Sequence, residues 1–250
     1  MKKLFVSLTA KSLFSLENVI ISHPKNIDTM RAKDILSKDV FPLKPSDTGS
    51  LALQWMEDFG VTQLPVVDRE NFLGLIKNED IYGLDDPDQP LELYRVPLQR
   101  SYVYDYFHFY EVLKLAATEK LSLVPVLNEQ NNYLGCITIS KLITTMASFT
   151  GFQQPGGILV LEVTSAQYAL SEIARLVEAN NAKVLSAFIS SPADSSKLEV
   201  TIKVSVMDLS SIIQTLNRYD YVVKASFAEE NRYDALLTER YESLLKYLNT

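Results

Sequence analysis

The feature that most constrains this chain is an internal repeat. Leu64-Pro65-Val66-Val67-Asp68, followed by Phe72-Leu73-Gly74-Leu75-Ile76, returns as Val124-Pro125-Val126-Leu127-Asn128 and Tyr133-Leu134-Gly135-Cys136-Ile137. Each copy is an apolar run, a polar turn and a second apolar run carrying a glycine, which predicts two short buried strands joined by a tight turn. The preceding segments align as well. Ala52, Leu53 and Met56 fall on Val112, Leu113 and Ala116, so an amphipathic helix precedes each strand pair. A unit that cannot cover its own apolar face stacks on its copy.

Local signals place the elements around this pair. A short helix is predicted over 32–36, and Pro42 and Pro45 forbid a long helix in the extended piece that follows. Asp47 or Thr48 caps a helix whose Leu51, Trp55 and Phe59 recur at helical spacing, and Gly60 ends it. Asn78 opens a closing helix. The repeats run from about 30 to 84 and from 94 to 149, and the Gly/Pro-rich segment 150–157 reads as a linker. Strand, helix, two strands, helix and strand then follow over 158–228, a ferredoxin-like order, with Val200, Ile202, Val204 and Val206 alternating with polar residues. Tyr233, Leu237, Tyr241, Leu244 and Leu248 mark a C-terminal amphipathic helix within 229–250. The fold class is therefore α+β: a pseudo-twofold pair of repeats, a ferredoxin-like domain and a final helix.

Composition excludes several functions. A net charge of -7 and a pI near 5.0 argue against a nucleic-acid partner, which normally requires a basic face. Cys136 is the only cysteine, so an internal disulfide framework and a Cys-cluster metal site are ruled out, and a reducing, cytoplasmic setting is expected. Residues 1–29 begin Met-Lys-Lys and are partly apolar, but Lys11 breaks the run; they read as an extension contributing little to the fold, neither a secretory signal nor a membrane span. His23 and His108 are solitary and read as exposed or capping residues. With no nucleophile-base pairing and no phosphate-cradling glycine loop, the chain is expected to be no enzyme.

The order helix, apolar-Pro-Val strand, turn, Gly-led strand and helix start, present twice over about 30–149, resembles the tandem cystathionine-β-synthase (CBS) domain. The following unit resembles the ACT domain, and the whole arrangement resembles acetoin-utilisation-type accessory proteins. The resemblance implies an adenosine ligand, AMP, ADP, ATP or S-adenosylmethionine, held at a Gly-apolar-apolar-Ser/Thr-x-x-Asp motif. In that motif a hydroxyl and helix-start amides meet phosphate, and the carboxylate accepts ribose hydroxyls.

Carried onto this chain, the first repeat gives Gly74, Lys77 and Asp80, keeping the acid and placing lysine for the hydroxyl. The second gives Gly135, Thr138 and Lys141, keeping the hydroxyl and placing lysine for the acid. Each is half a motif. A hydrogen bond to a charged group contributes about 1.5–3 kcal/mol, so the site lacking the carboxylate should bind roughly 10- to 150-fold more weakly. Asp80 itself is expected to be an exposed helix-start carboxylate whose loss costs at most about 1 kcal/mol. Where the ACT family has a glycine admitting an amino acid, this chain places Tyr168, which is expected to fill that site. The implied function is a regulatory protein that senses an adenine nucleotide and signals to a partner protein, two chains pairing through the repeats. The alternatives are a structural dimerisation module with decayed sites and an enzyme of unrecognised type.

Overall fold

A computed structural model describes residues 30–94, 97–191 and 196–228. The expected N-terminal extension and C-terminal helix lie outside the described residues. The chain divides into two compact units between Leu142 and Ile143. No helix of the described residues is long and apolar enough to cross a membrane.

Both repeats, over residues 30–147, form the predicted elements. Helix α1 (Gly49–Phe59) starts at Thr48, whose Oγ1 accepts from the Leu51 amide at 3.2 Å, and ends on Gly60 at φ 64°. Strands β1 (Gln63–Asp68) and β2 (Asn71–Lys77) pair antiparallel, and helix α2 (Asn78–Tyr82) closes the repeat. The second repeat runs through β3 (Val103–Tyr104), α3 (Phe109–Glu119), β4 (Leu123–Leu127), β5 (Tyr133–Thr138) and α4 (Ile139–Ala147). Its helix α3 is capped by His108, whose Nδ1 accepts from the Tyr110 amide at 3.2 Å. The two hairpins share a bulge at the same place, between Val66 and Val67 and between Val126 and Leu127. Leu64, Leu75, Leu123, Val124, Val126, Cys136 and Ile137 are fully buried, each large apolar side chain contributing about 1.5–3 kcal/mol.

The leading segments cross between repeats. Ser37 forms an antiparallel bridge to Cys136 in the second repeat, whereas Gln99, ahead of the second repeat, bridges Leu75 in the first. Each segment then turns back to its own repeat, through parallel bridges of Leu43 to Val66 and of Val103 to Val126. Neither β2 nor β5 is left as an open edge at these points, because each receives backbone from the other repeat. Close approach is what the strand glycine permits. At Gly74, φ is +152° and an added Cβ would stand 2.6 Å from Leu98 Cβ.

In the second unit, β6 (Ile158–Thr164), α5 (Leu170–Glu178), β7 (Val184–Ser190), β8 (Lys197–Val204), α6 (Ser210–Arg218) and β9 (Val222–Phe227) follow, the strands forming one antiparallel sheet in the order β7-β8-β6-β9. Leu159, Leu161, Val163, Val200, Ile202 and Val204 face Ile173, Leu176, Val177, Ile212 and Leu216 of the helices in a single core. Tyr168 packs, partly buried, against that core. The expected linker differs in structure. Residues 150–153 form a helical turn, and Gly157 exchanges hydrogen bonds with Val204 and Val206, so the sheet begins inside the segment read as a connection. Strand β8 stops at Val204, two residues early, where the Ser205 amide turns to the Lys183 carbonyl at 2.9 Å.

Candidate ligand-binding site

The six residues singled out by the motif fall in two separate places, one at each strand-to-helix junction of the first unit. At the β2–α2 junction, Lys77 is the N-cap and its amide donates to Asp80 Oδ2 at 2.9 Å. Asp80 is therefore a half-buried capping-box residue and not the exposed helix-start carboxylate expected. Among the described residues its Oδ1 has no hydrogen-bond partner and the Lys77 ammonium forms no ion pair. The next two amides are engaged too: Asn78 donates to the Thr62 carbonyl at 3.1 Å and Glu79 to Asn78 Oδ1 at 2.9 Å.

At the β5–α4 junction the hydroxyl is equally occupied. Thr138 Oγ1 accepts from the Lys141 amide at 3.1 Å and lies 3.2 Å from Ser37 Oγ, which also accepts from the Thr138 amide at 3.0 Å. The Ile139 amide donates to the Ser122 carbonyl at 3.1 Å. Gly135 sits at φ +149°, with the Leu36 side chain 3.4 Å from an added Cβ.

Three further residues belong to this neighbourhood and were not read from the motif. Thr62 and Ser122 hold corresponding places in the two repeats, and the Thr62 amide donates to Ser122 Oγ at 3.0 Å, tying the starts of β1 and β4 together. A hydroxyl residue just ahead of each strand was the signal available. Gln63, opposite Lys77 in the β1–β2 register, is buried to 5 % exposure with its Oε1 unpartnered. A buried amide oxygen without a donor costs about 1–3 kcal/mol, which an incoming hydrogen-bond donor would recover. Nearby on β5, burial raises the Cys136 thiol from 9.0 to about 11, against a smaller lowering contribution from Tyr133. Burial also raises Tyr133, whose hydroxyl has no well-aligned partner although it feels the Cys136 charge. Cys136 is consequently a protonated core thiol at neutral pH, not a nucleophile.

The geometry defines a class: two copies of one α/β unit exchanging leading segments, each ending in a Gly-led strand and a capped helix. Residues 32–84 match the family model of the CBS domain, and the second repeat reproduces the first in element order, bulge and bridging. The chain is 24 % identical over 153 residues to inosine-5'-monophosphate dehydrogenase of Methanocaldococcus jannaschii, a match covering 60 % of this chain and 30 % of that enzyme. Among solved structures, a CBS domain pair/ACT domain protein from Thermotoga maritima has 22 % identity and a TM-score of 0.42, covering 47 % of this chain and 96 % of that one. The CBSX2 protein in complex with AMP has 18 % identity and a TM-score of 0.40, covering 46 % of this chain and 95 % of that one.

Proposed function

We propose that this chain is a non-catalytic, cytoplasmic regulatory protein whose CBS pair binds an adenine nucleotide. In this reading the second unit is a ferredoxin-like, ACT-like domain that passes the change to a partner protein, in an arrangement like that of acetoin-utilisation accessory proteins, and two chains associate through the repeats. The observation that carries the ligand assignment is Asp80: one carboxylate oxygen fixes the helix start and the other is left for a ribose hydroxyl. Lys77 beside it supplies charge for phosphate, and Thr138 with Lys141 forms the weaker second site. Gly74 and Gly135 bring the backbone close at each. Melting curves with AMP, ADP, ATP and S-adenosylmethionine test this. At a hundredfold excess over its dissociation constant a ligand adds about 2.7 kcal/mol, readily visible as a raised Tm.

A second reading has its own support. The amides of Lys77, Asn78, Glu79, Thr138, Ile139 and Lys141 are all bonded within the protein, so these six are not available to a phosphate. A structural module with decayed sites would show no shift with any of these ligands at millimolar concentration.

A further inference from the structure

The first repeat also holds a second, differently built cleft. An apolar cavity of about 160 Å³ is lined by Val66, Leu73, Ile76, Leu91, Tyr94 and Leu98, and it shares Pro45 and Glu92 with a polar cleft of about 390 Å³. That cleft carries Lys44, Asp68 and Arg69 besides Glu92: two cations and two carboxylates, all exposed. None of the four forms an ion pair among the described residues.

The second repeat shows that this space is not a by-product of the fold. The matching bridges Leu43–Val66 and Val103–Val126 set Pro42, Lys44 and Ser46 against Tyr102, Tyr104 and Tyr106. There tyrosines stand in the matching positions: their rings follow one another at 5.6 and 5.5 Å, and the Tyr104 hydroxyl donates to Asn131 Oδ1 at 3.1 Å. Only in the first repeat are bulky rings replaced by short or charged residues.

We propose that the first repeat binds a free apolar α-amino acid here. A dry cavity of about 150 Å³ accepts a benzene-sized group, so one of 160 Å³ suits the side chain of leucine or phenylalanine. The adjoining mixed charges match a zwitterion: Lys44 and Arg69 for the α-carboxylate, Asp68 and Glu92 for the α-ammonium. A simple fatty acid would leave both carboxylates opposed to it, and an amine would leave both cations. The site is independent of Asp80 and of the nucleotide reading, and it lies within the first unit.

Calorimetric titration of the full chain with L-leucine and L-phenylalanine tests this, beside N-acetyl-leucine and isoamylamine, which each lack one charge. Binding of the amino acids, with at least about tenfold weaker binding of both analogues and a similar loss in Arg69→Ala and Glu92→Gln, is the expected result. Leu73→Ala should also shift preference toward the larger phenylalanine. The proposal is overturned if neither amino acid binds at 10 mM, on the order of the weakest affinity worth measuring. It is equally overturned if both surface variants bind as the parent does, since the ligand would then sit elsewhere.

Discussion

Replacing Gly74 by alanine should destabilise the first unit far more than the same change at Gly135, although the two glycines hold the same place in the repeat. Both sit at positive φ, +152° and +149°, so each substitution pays a similar backbone penalty of about 1–2 kcal/mol. The surroundings differ. At Gly74 the new methyl would stand 2.6 Å from Leu98 Cβ and 3.2 Å from the Gln99 carbonyl, and that backbone is held by two hydrogen bonds to Leu75 at 2.8 and 3.0 Å. At Gly135 the nearest atom is a Leu36 methyl at 3.4 Å, the far end of a side chain that can turn aside. Forcing a methyl into rigid packing adds about 1–3 kcal/mol, giving roughly 2–5 kcal/mol for Gly74→Ala against roughly 1–2 for Gly135→Ala. Urea unfolding followed by fluorescence reads this directly. Trp55, the only tryptophan, lies in α1 of the first unit, half-buried against Phe59 at 6.1 Å. Equal losses, or a larger one at Gly135, would refute the close crossing of the leading segment over Gly74.

Three other outcomes follow from the structure. Ser37 and Thr138 are 101 positions apart but share hydrogen bonds, so Ser37→Ala and Thr138→Ala should be non-additive by about 0.5–1.5 kcal/mol in a double-mutant cycle of urea unfolding. The Cys136 thiol is raised from 9.0 to about 11, so the folded state holds its proton longer than the unfolded chain. Its contribution is complete below pH 9 and is lost as pH rises through 11, about 3 kcal/mol in all. Cys136→Ala should flatten that part of the alkaline fall in unfolding free energy, and Ellman's reagent should react with the native thiol only as fast as the protein opens. Helix α3 ends on Lys120 at φ 53°, where α1 ends on Gly60, so Lys120→Gly should raise stability by about 0.5–1 kcal/mol in the same unfolding assay.

What was legible in the chain was what local periodicity encodes. The repeat, the helix start at Asp47 or Thr48, the stop at Gly60 and the alternation through Val200 to Val204 all act within a few residues of themselves. The crossing of the leading segments was not legible, because Ser37 meets Cys136 through backbone groups that every residue carries, and its hydroxyl meets Thr138 across 101 positions, beyond any local pattern. Asp80 was placed correctly but given too little to do: an acid three residues after the last strand position is also a capping-box signature, and the motif reading hid it. The tyrosines at 102, 104 and 106 alternate as plainly as a strand. Only the structure shows that they occupy the space left open around Lys44.

Nucleotide binding at the first repeat turns on one carboxylate oxygen. Titrating AMP into the full chain and into Asp80→Asn by calorimetry isolates it, because asparagine keeps an acceptor for the Lys77 amide and removes the charge, whereas alanine would also cost about 1 kcal/mol of capping. AMP binding to the parent protein is expected, with affinity at least about tenfold weaker in Asp80→Asn and ligand-free melting little changed. No heat of binding at millimolar AMP, or equal affinity in the two proteins, would contradict it.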